Sequence, residues 1–368
     1  MTYKVIGLMS GSSLDGLDIV FAHIIEARGK WTCDLKVADC LPYDKEWEER
    51  LRNATQLSAI EYCQLDADYG HYLADKIEEF VEKHDIHMQM DLIASHGHTV
   101  FHKPLQQMTA QIGDGSAIAA KMNVAVVSHL RNFDVALGGQ GAPLVPLGEK
   151  LLFPEYKLFL NLGGIANISF HEEEDVQGYD ICPTNSILNA LAEREGHAFD
   201  DGGRIAESGV VSPELLQELN SLSFYEEKAP KSLGNDYGKE VVMPLIDKYE
   251  LDTKDKLGTY VAHIVEQVEQ NVSQLLIDQN PLISDFKMLV TGGGAYNTFL
   301  IKQLKGQLQT HGVEVVVPEK EIVEYKEAIV VALLGALRWR ENNTTLPSVT
   351  GASRASIGGA LWMGQEGW

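Results

Sequence analysis

The chain has 368 residues, about twice the usual domain length, so two packed units with their own cores are expected and a single small module is excluded. Hydrophobic residues make up 45% and charged residues 23%, the composition of a folded globular chain rather than a disordered one. Thirty basic against 53 acidic residues give a formal charge of −23, which repels phosphate backbones and anionic lipid, so neither nucleic acid nor membrane is an expected partner. An anionic small substrate would have to be held by backbone N–H groups and a few placed cations. The four cysteines, Cys33, Cys40, Cys63 and Cys182, form no CxxC pair, which excludes a disulfide scaffold and fits a reducing compartment. The N-terminus lacks a charged segment followed by a long apolar one, and no stretch reaches about 18 uninterrupted apolar residues; a soluble, cytoplasmic protein is expected.

In chain order, strand-like runs fall at 4–8, 18–22, 92–94, 124–127, 158–161, 166–170, 288–291 and 313–317. Several are short, continuous and β-branched, the pattern of strands buried on both faces. Amphipathic helical stretches such as 60–84 and 258–278 lie between them, and the alternation indicates an α/β fold. Two segments, Tyr3 to Phe21 and Tyr156 to Phe170, both read strand, glycine turn, strand. They begin about 150 residues apart, which is either chance, since glycine hairpins are common, or the trace of two lobes that each open with a hairpin. The glycine-rich stretch Gly138 to Pro143 falls between them and places the expected lobe boundary nearby.

Candidate chemistry sits at glycine turns. Gly11, Ser12, Ser13, Leu14, Asp15, Gly16, Leu17 and Asp18 lie between two expected strands, where glycines and hydroxyls either nest a phosphate or form an ordinary polar turn. The segment is no P-loop, since it lacks GxxxxGK[ST] and a following helix. Gly163 and Gly164, and Gly292, Gly293 and Gly294, likewise follow apolar strands, at the ends where α/β sheets bind ligands. Together the three turns suggest a nucleotide, its phosphates against the two hairpins and its nucleoside end near Gly292 to Gly294. His96, His98 and His102 could form a metal set or serve as hydrogen-bonding and packing groups; no neighbouring Cys or carboxylate completes a zinc site. Asp180 precedes Pro183 and a helix expected to start near Thr184, so it reads either as a cap or as a general base. Cys182 reads as packing. Arg131 can pair with a substrate carboxylate or with Asp134, three residues on, and Glu327 reads as an acid near the start of an apolar helix.

Taken in order, GLMSGSSLDGLD (Gly7 to Asp18), SHGHTVFH (Ser95 to His102), QIGDG (Gln111 to Gly115), RNFDVALGGQGAPLVP (Arg131 to Pro146), NLGGIANIS (Asn161 to Ser169), PKSLG (Pro230 to Gly234), LVTGGGAYN (Leu289 to Asn297) and LPSVTGAS (Leu346 to Ser353) resemble the 1,6-anhydro-N-acetylmuramic acid kinases, members of the actin/hexokinase/Hsp70-like superfamily. The resemblance implies a two-lobed, ribonuclease H-like α/β fold with duplicated lobes around a nucleotide cleft, divided as 1–135 plus 328–368 and 136–327. It implies an ATP- and Mg²⁺-dependent kinase that opens the anhydro bridge with water while phosphorylating the released 6-oxygen, during recycling of bacterial cell wall. Asp180 would activate the water. Gly11 to Asp18, Gly163, Gly164 and Gly292 to Gly294 would bind ATP, and Thr99, Arg131 and Glu327 the sugar, in a homodimer; no protein residue is assigned as a metal ligand. Another anhydrosugar such as levoglucosan is the nearest alternative substrate; a histidine-ligated metal hydrolase and a non-catalytic sugar sensor are the alternatives of other classes.

Overall fold

In the computed structural model, which describes residues 1–11, 14–172, 176–228, 231–234, 236–277 and 286–364, the chain packs as two compact units, Met1–Pro154 with Tyr325–Trp368 and Glu155–Glu324. The first is built on a seven-stranded sheet. β1 (Thr2–Ser10), β2 (Leu17–Ala27) and β3 (Lys30–Leu41) form an antiparallel meander. The helix Ala59–Lys83 then leads to β4 (Leu92–Lys103), parallel to β1. β5 (Met108–Ile112) folds back on the far end of β4, and the helix Gly115–Met122 leads to β6 (Ala125–Ser128), parallel to β4. The C-terminal strand Ala360–Trp362 pairs with β6.

The second unit repeats this connectivity on five strands. β7 (Leu158–Leu162), β8 (Ile165–His171) and β9 (Val176–Pro183) form the meander. β10 (Phe286–Thr291) lies parallel to β7 and β11 (Val313–Val316) parallel to β10, joined by the helix Thr298–Gln309. The order β3-β2-β1-β4-β6 thus recurs as β9-β8-β7-β10-β11. The two similar hairpins of the sequence open the two sheets, and with the repeated strand order their likeness marks a duplication. The stretch Gly138 to Pro143 lies within the first unit and does not form the division.

Burial explains the elements. The Ala59–Lys83 helix begins with a capping box, Ser58 accepting from the Glu61 N–H and Glu61 from the Ser58 N–H. Its Leu65, Tyr69, Leu73, Ile77 and Phe80 fall three or four apart and pack with Ile6, Leu8, Ile19 and Phe21 from one face of the sheet. In the second unit Leu257, Tyr260, Val261, Ile264 and Val268 of the helix Thr253–Ile277 do the same for Leu158, Leu160, Met288 and Val290. Residue 278, the expected end of that helix, lies outside the described residues. All eight expected strand runs correspond to strands, with Val124 and Val317 each falling one residue outside. The segment Ser95 to His102 extends the strand beyond the expected run 92–94. Gly97, at φ +72°, absorbs the irregularity and β4 continues to Lys103. Among the described residues no helix is long and apolar enough to cross a membrane.

A Cβ on Gly7 would lie 2.3 Å from the carbonyl oxygen of Ala328, on the helix Lys320–Trp339. Gly7→Ala should therefore lower stability by roughly 1–3 kcal/mol. Gly306→Ala, on a helix surface with nothing within 4 Å of the new Cβ, should be neutral or stabilising by up to about 1 kcal/mol. Denaturant unfolding of both variants checks the contrast.

Candidate active site

In the first unit, Ser10 and Leu17 are the last paired residues of the β1–β2 hairpin. Leu14 takes a left-handed backbone at φ 59° while its side chain packs on the core. A Cβ on Gly16 would meet Cys40 Sγ at 2.6 Å and the Leu41 carbonyl at 2.8 Å, so the turn is pressed onto β3. At its root the Tyr43 hydroxyl donates to Ser10 Oγ at 2.8 Å, and Ser10 Oγ lies 2.9 Å from His98 Nδ1. Ser12 and Ser13 lie outside the described residues; Gly11, Asp15 and Asp18 complete the turn and its second strand.

The three histidines do not converge on a common point as ligands. The Nε–H of Arg131 donates to His96 Nε2 at 2.8 Å, which leaves Nδ1–H of His96 to donate to the Gly97 carbonyl at 2.9 Å. His98 is engaged with Ser10, and His102 Nδ1 lies 3.0 Å from Thr109 Oγ1. Burial, then the Arg131 charge, pull His96 down to about 3, and burial pulls His98 down to about 4. Among the described residues no three His, Cys, Asp or Glu side chains are gathered as metal ligands. A guanidinium bonded to His96 also opposes a cation there. The histidine-ligated hydrolase therefore has no ligand set among them.

Arg131 does not pair with Asp134. That buried carboxylate accepts the Gly141 N–H and the Thr350 hydroxyl, both at 2.8 Å. Arg131 instead reaches His96 and, at 3.3 Å, the Gly141 carbonyl. Burial lowers its pKa, and the charge of the Glu327 carboxylate opposes that shift. Glu327 lies well inside the helix Lys320–Trp339 rather than at its start, which removes a dipole role for it. Thr99 pairs with Gln111 across β4 and β5 and receives its side-chain amide at 3.3 Å.

In the second unit the β7–β8 turn is held from below. The Gly163 carbonyl accepts the Thr184 hydroxyl at 2.6 Å and the Asn185 N–H at 3.1 Å, and the Gly164 carbonyl accepts the Thr184 N–H and the Ser186 hydroxyl at 2.8 Å. Gly164 has nothing within 4 Å of a would-be Cβ, so its outer side is open. Gly292, at φ +81°, approaches the same strand. Its would-be Cβ lies 2.6 Å from Asn161 Oδ1, and that of Gly294 lies 2.6 Å from Leu162 Cβ. Asn185 spans the two loops: Nδ2 donates to the Leu162 carbonyl at 3.0 Å, and the same atom lies 3.3 Å from the Cβ position of Gly293. The structure thus joins Gly163, Gly164 and Gly292 to Gly294 into one glycine surface backed by Thr184 and Asn185.

Asp180 lies on β9 opposite Asn167 of β8. It caps no helix. Thr184 occupies the N-cap of the helix Asn185–Glu193, and the Asp180 carboxylate accepts from Ser232 and Leu233 instead. Cys182 is buried, and burial raises its thiol far above the ordinary value, so it is a packing group. Sequence reasoning missed the His96–Arg131 bond, the Ser10–Tyr43 bond, the Asn185 bridge and the Ser232 contact. The members of these pairs lie 35, 33, 23 and 52 positions apart in the chain, respectively.

Comparison with known proteins completes the picture. A family model described as anhydro-N-acetylmuramic acid kinase matches residues 3–364. A protein of that name from Vibrio parahaemolyticus is 33% identical over 371 residues, covering 97% of each chain. One from Bacillus thuringiensis is 30% identical over 378 residues, covering 97% of this chain and 98% of its own. Among solved structures, an activator of 2-hydroxyisocaproyl-CoA dehydratase from Clostridium difficile with bound ADPNP aligns at TM-score 0.43 and 13% identity, over 91% of this chain and 94% of that one. A likeness that loose decides nothing about the site.

Buried His96 and His98 stay neutral in the folded state down to about 3 and 4, whereas unfolded histidine protonates near pH 6.5. The unfolded chain therefore binds more protons below pH 6.5, and stability falls as the pH drops from there toward 4. Between pH 7 and pH 5 each histidine should cost on the order of 1–2 kcal/mol. Denaturant titrations at both pH values check this, and His98→Gln should show a smaller loss than wild type.

Proposed function

The chain belongs to the anhydro-N-acetylmuramic acid kinase family, and from that premise we propose that it converts 1,6-anhydro-N-acetylmuramic acid, water and ATP into N-acetylmuramate 6-phosphate and ADP. The observation that carries this reading is the family match along residues 3–364. In the proposed reaction Asp180 takes a proton from the water whose oxygen bonds to the anomeric carbon. The bond from that carbon to the 6-oxygen breaks, the 6-oxygen bonds to the γ-phosphorus, and ADP leaves. A carboxylate presented at a strand end, in the same unit as a glycine surface, suits the task, since phosphoryl transfer depends chiefly on positioning and charge stabilisation.

We assign the ATP phosphates to the Gly11 to Asp18 and Gly163–Gly164 turns and the nucleoside end to Gly292 to Gly294. The outward-open side of Gly164 supports this, because backbone N–H groups approach phosphate where no Cβ intervenes. Mg²⁺ is written as part of the ATP substrate. It keeps mostly phosphate and water oxygens in such complexes. Thr99 and Arg131 are assigned to the sugar, Arg131 to its carboxylate, with Glu327 beside them. Free thiols and the need for ATP support a cytoplasmic reaction, and the family resemblance supports a homodimer, which sedimentation velocity would read.

Incubation with ATP, Mg²⁺ and the anhydrosugar in ¹⁸O-labelled water should place one heavy oxygen on the anomeric carbon, read before hemiacetal exchange, and none in the new phosphate. Levoglucosan should turn over more slowly. Asp180→Asn should lower turnover about 10²- to 10⁴-fold with nucleotide affinity nearly intact. An intact anhydro ring bearing phosphate, or an Asp180→Asn enzyme keeping more than about a tenth of its activity, would contradict the reading.

A further inference from the structure

We infer that Ser232, with the main chain on either side of it, is a positioning residue that fixes one oxygen of the Asp180 carboxylate and so presents the other to the attacking water. The inference rests on the assignment of Asp180 as the base. Its ground is a set of three bonds. The Asp180 N–H donates to the Lys231 carbonyl at 3.0 Å. The Ser232 hydroxyl and the Leu233 N–H both donate to Asp180 Oδ2, each at 2.9 Å. Both side-chain contacts fall on the same oxygen, and Oδ1 accepts from no group among the described residues.

A carboxylate free to rotate about its last bond exchanges its two oxygens and samples a broad range of orientations. Two donors on Oδ2 end that exchange. They also draw charge to Oδ2, leaving Oδ1 as the oxygen whose lone pairs are open to a new proton. The arrangement is asymmetric, which a base needs and which a carboxylate holding a loop together does not.

The clip is itself anchored on both sides of Ser232. Lys231 Nζ donates to the Phe224 carbonyl at 2.9 Å and stands 4.4 Å above the centre of the Phe224 ring. Phe224 is buried, and so is Leu233. The order Lys231-Ser232-Leu233 therefore reads as cationic anchor, hydroxyl donor, apolar anchor. Ser232 is the exposed member, and nothing but its contact with Asp180 accounts for a hydroxyl there. The ammonium of Lys231 is engaged away from Asp180, so the clip orients the carboxylate by neutral donors and does not neutralise it.

The test is kinetic. Ser232→Ala, an exposed substitution that leaves the Leu233 N–H in place, should lower kcat about 3- to 30-fold and leave KM for ATP and for 1,6-anhydro-N-acetylmuramic acid within about twofold. Ser232→Thr, which keeps the hydroxyl, should restore most of kcat. In an Asp180→Asn background the same Ser232→Ala change should cost nothing further, because the group it orients has gone. An unchanged kcat, a rise in KM alone, failure of Thr to rescue, or a full additive loss in the Asp180→Asn background would each overturn the inference. Persistence of activity in Asp180→Asn alone would instead remove the base assignment, so the two failures are told apart.

Discussion

The carbonyl oxygen of Ala328 occupies the space in which a side chain of Gly7 would begin, 2.3 Å from the would-be Cβ, and this contact closes the first unit. β1 is the first strand of the chain, while Ala328 lies on a helix that follows the whole second unit. The seam continues in small residues. A Cβ on Gly335 would meet Ala94 Cβ at 2.6 Å, and one on Gly148 would meet Val330 at 2.3 Å. Such close approach fixes the rotation and register of the helix more tightly than apolar burial alone, which tolerates sliding. The pair Lys326–Glu149, 2.6 Å apart with side chains only 8% and 4% exposed, lies at the beginning of the seam. Buried pairs add little net stability but penalise any misalignment that separates them. The register so enforced also fixes the place of Glu327, the next residue, whose charge is felt by Arg131.

Duplication does the corresponding work for the glycine turns. In each unit the meander delivers a glycine turn at the end of its first hairpin, and the parallel fourth strand runs beside it. The two copies have then diverged in how the turn is stiffened. The first relies on a left-handed Leu14, a Gly16 pressed against β3, and the Ser10–Tyr43–His98 contacts. The second hangs its glycine carbonyls on Thr184, Asn185 and Ser186, so the helix that follows β9 starts from the turn itself. One topology therefore yields two turns with different backing, and the second is joined to the Gly292 to Gly294 loop of its own unit.

What the sequence made legible follows from burial. β1, β4, β7 and β10 are continuous apolar runs because both faces are covered, and all were readable, as were the two long helices whose apolar stripes cover the sheets. β3 was not: charged and apolar residues alternate along its twelve residues, Lys30 to Leu41, as befits an edge strand with one wet face, and Asp34, Lys36 and Asp39 mask the pattern. β9 was hidden by Gly178 and Asp180, residues that disfavour strands in isolation and are tolerated here because β8 supplies the ladder. The candidate site was legible as positions and illegible as pairs. Nothing local joins Asp180 to Ser232, 52 residues on, or shows that Asp134 is already saturated by Gly141 and Thr350 and so unavailable to Arg131.

That saturation bears on how a chain of charge −23 can attract an acidic sugar. A buried guanidinium ordinarily takes a carboxylate partner, and here the nearest in sequence is kept from it by two neutral donors. The partner supplied is His96, and burial together with the guanidinium's own charge holds that imidazole neutral at any physiological pH. A neutral acceptor orients Arg131 without cancelling it, whereas a bonded carboxylate would have returned the local charge to zero. Glu327 acts on it through the field and makes no hydrogen bond to it among the described residues. The cation thus stays directional and electrostatically available in a strongly acidic molecule, as the proposed contact with a substrate carboxylate at a single point requires.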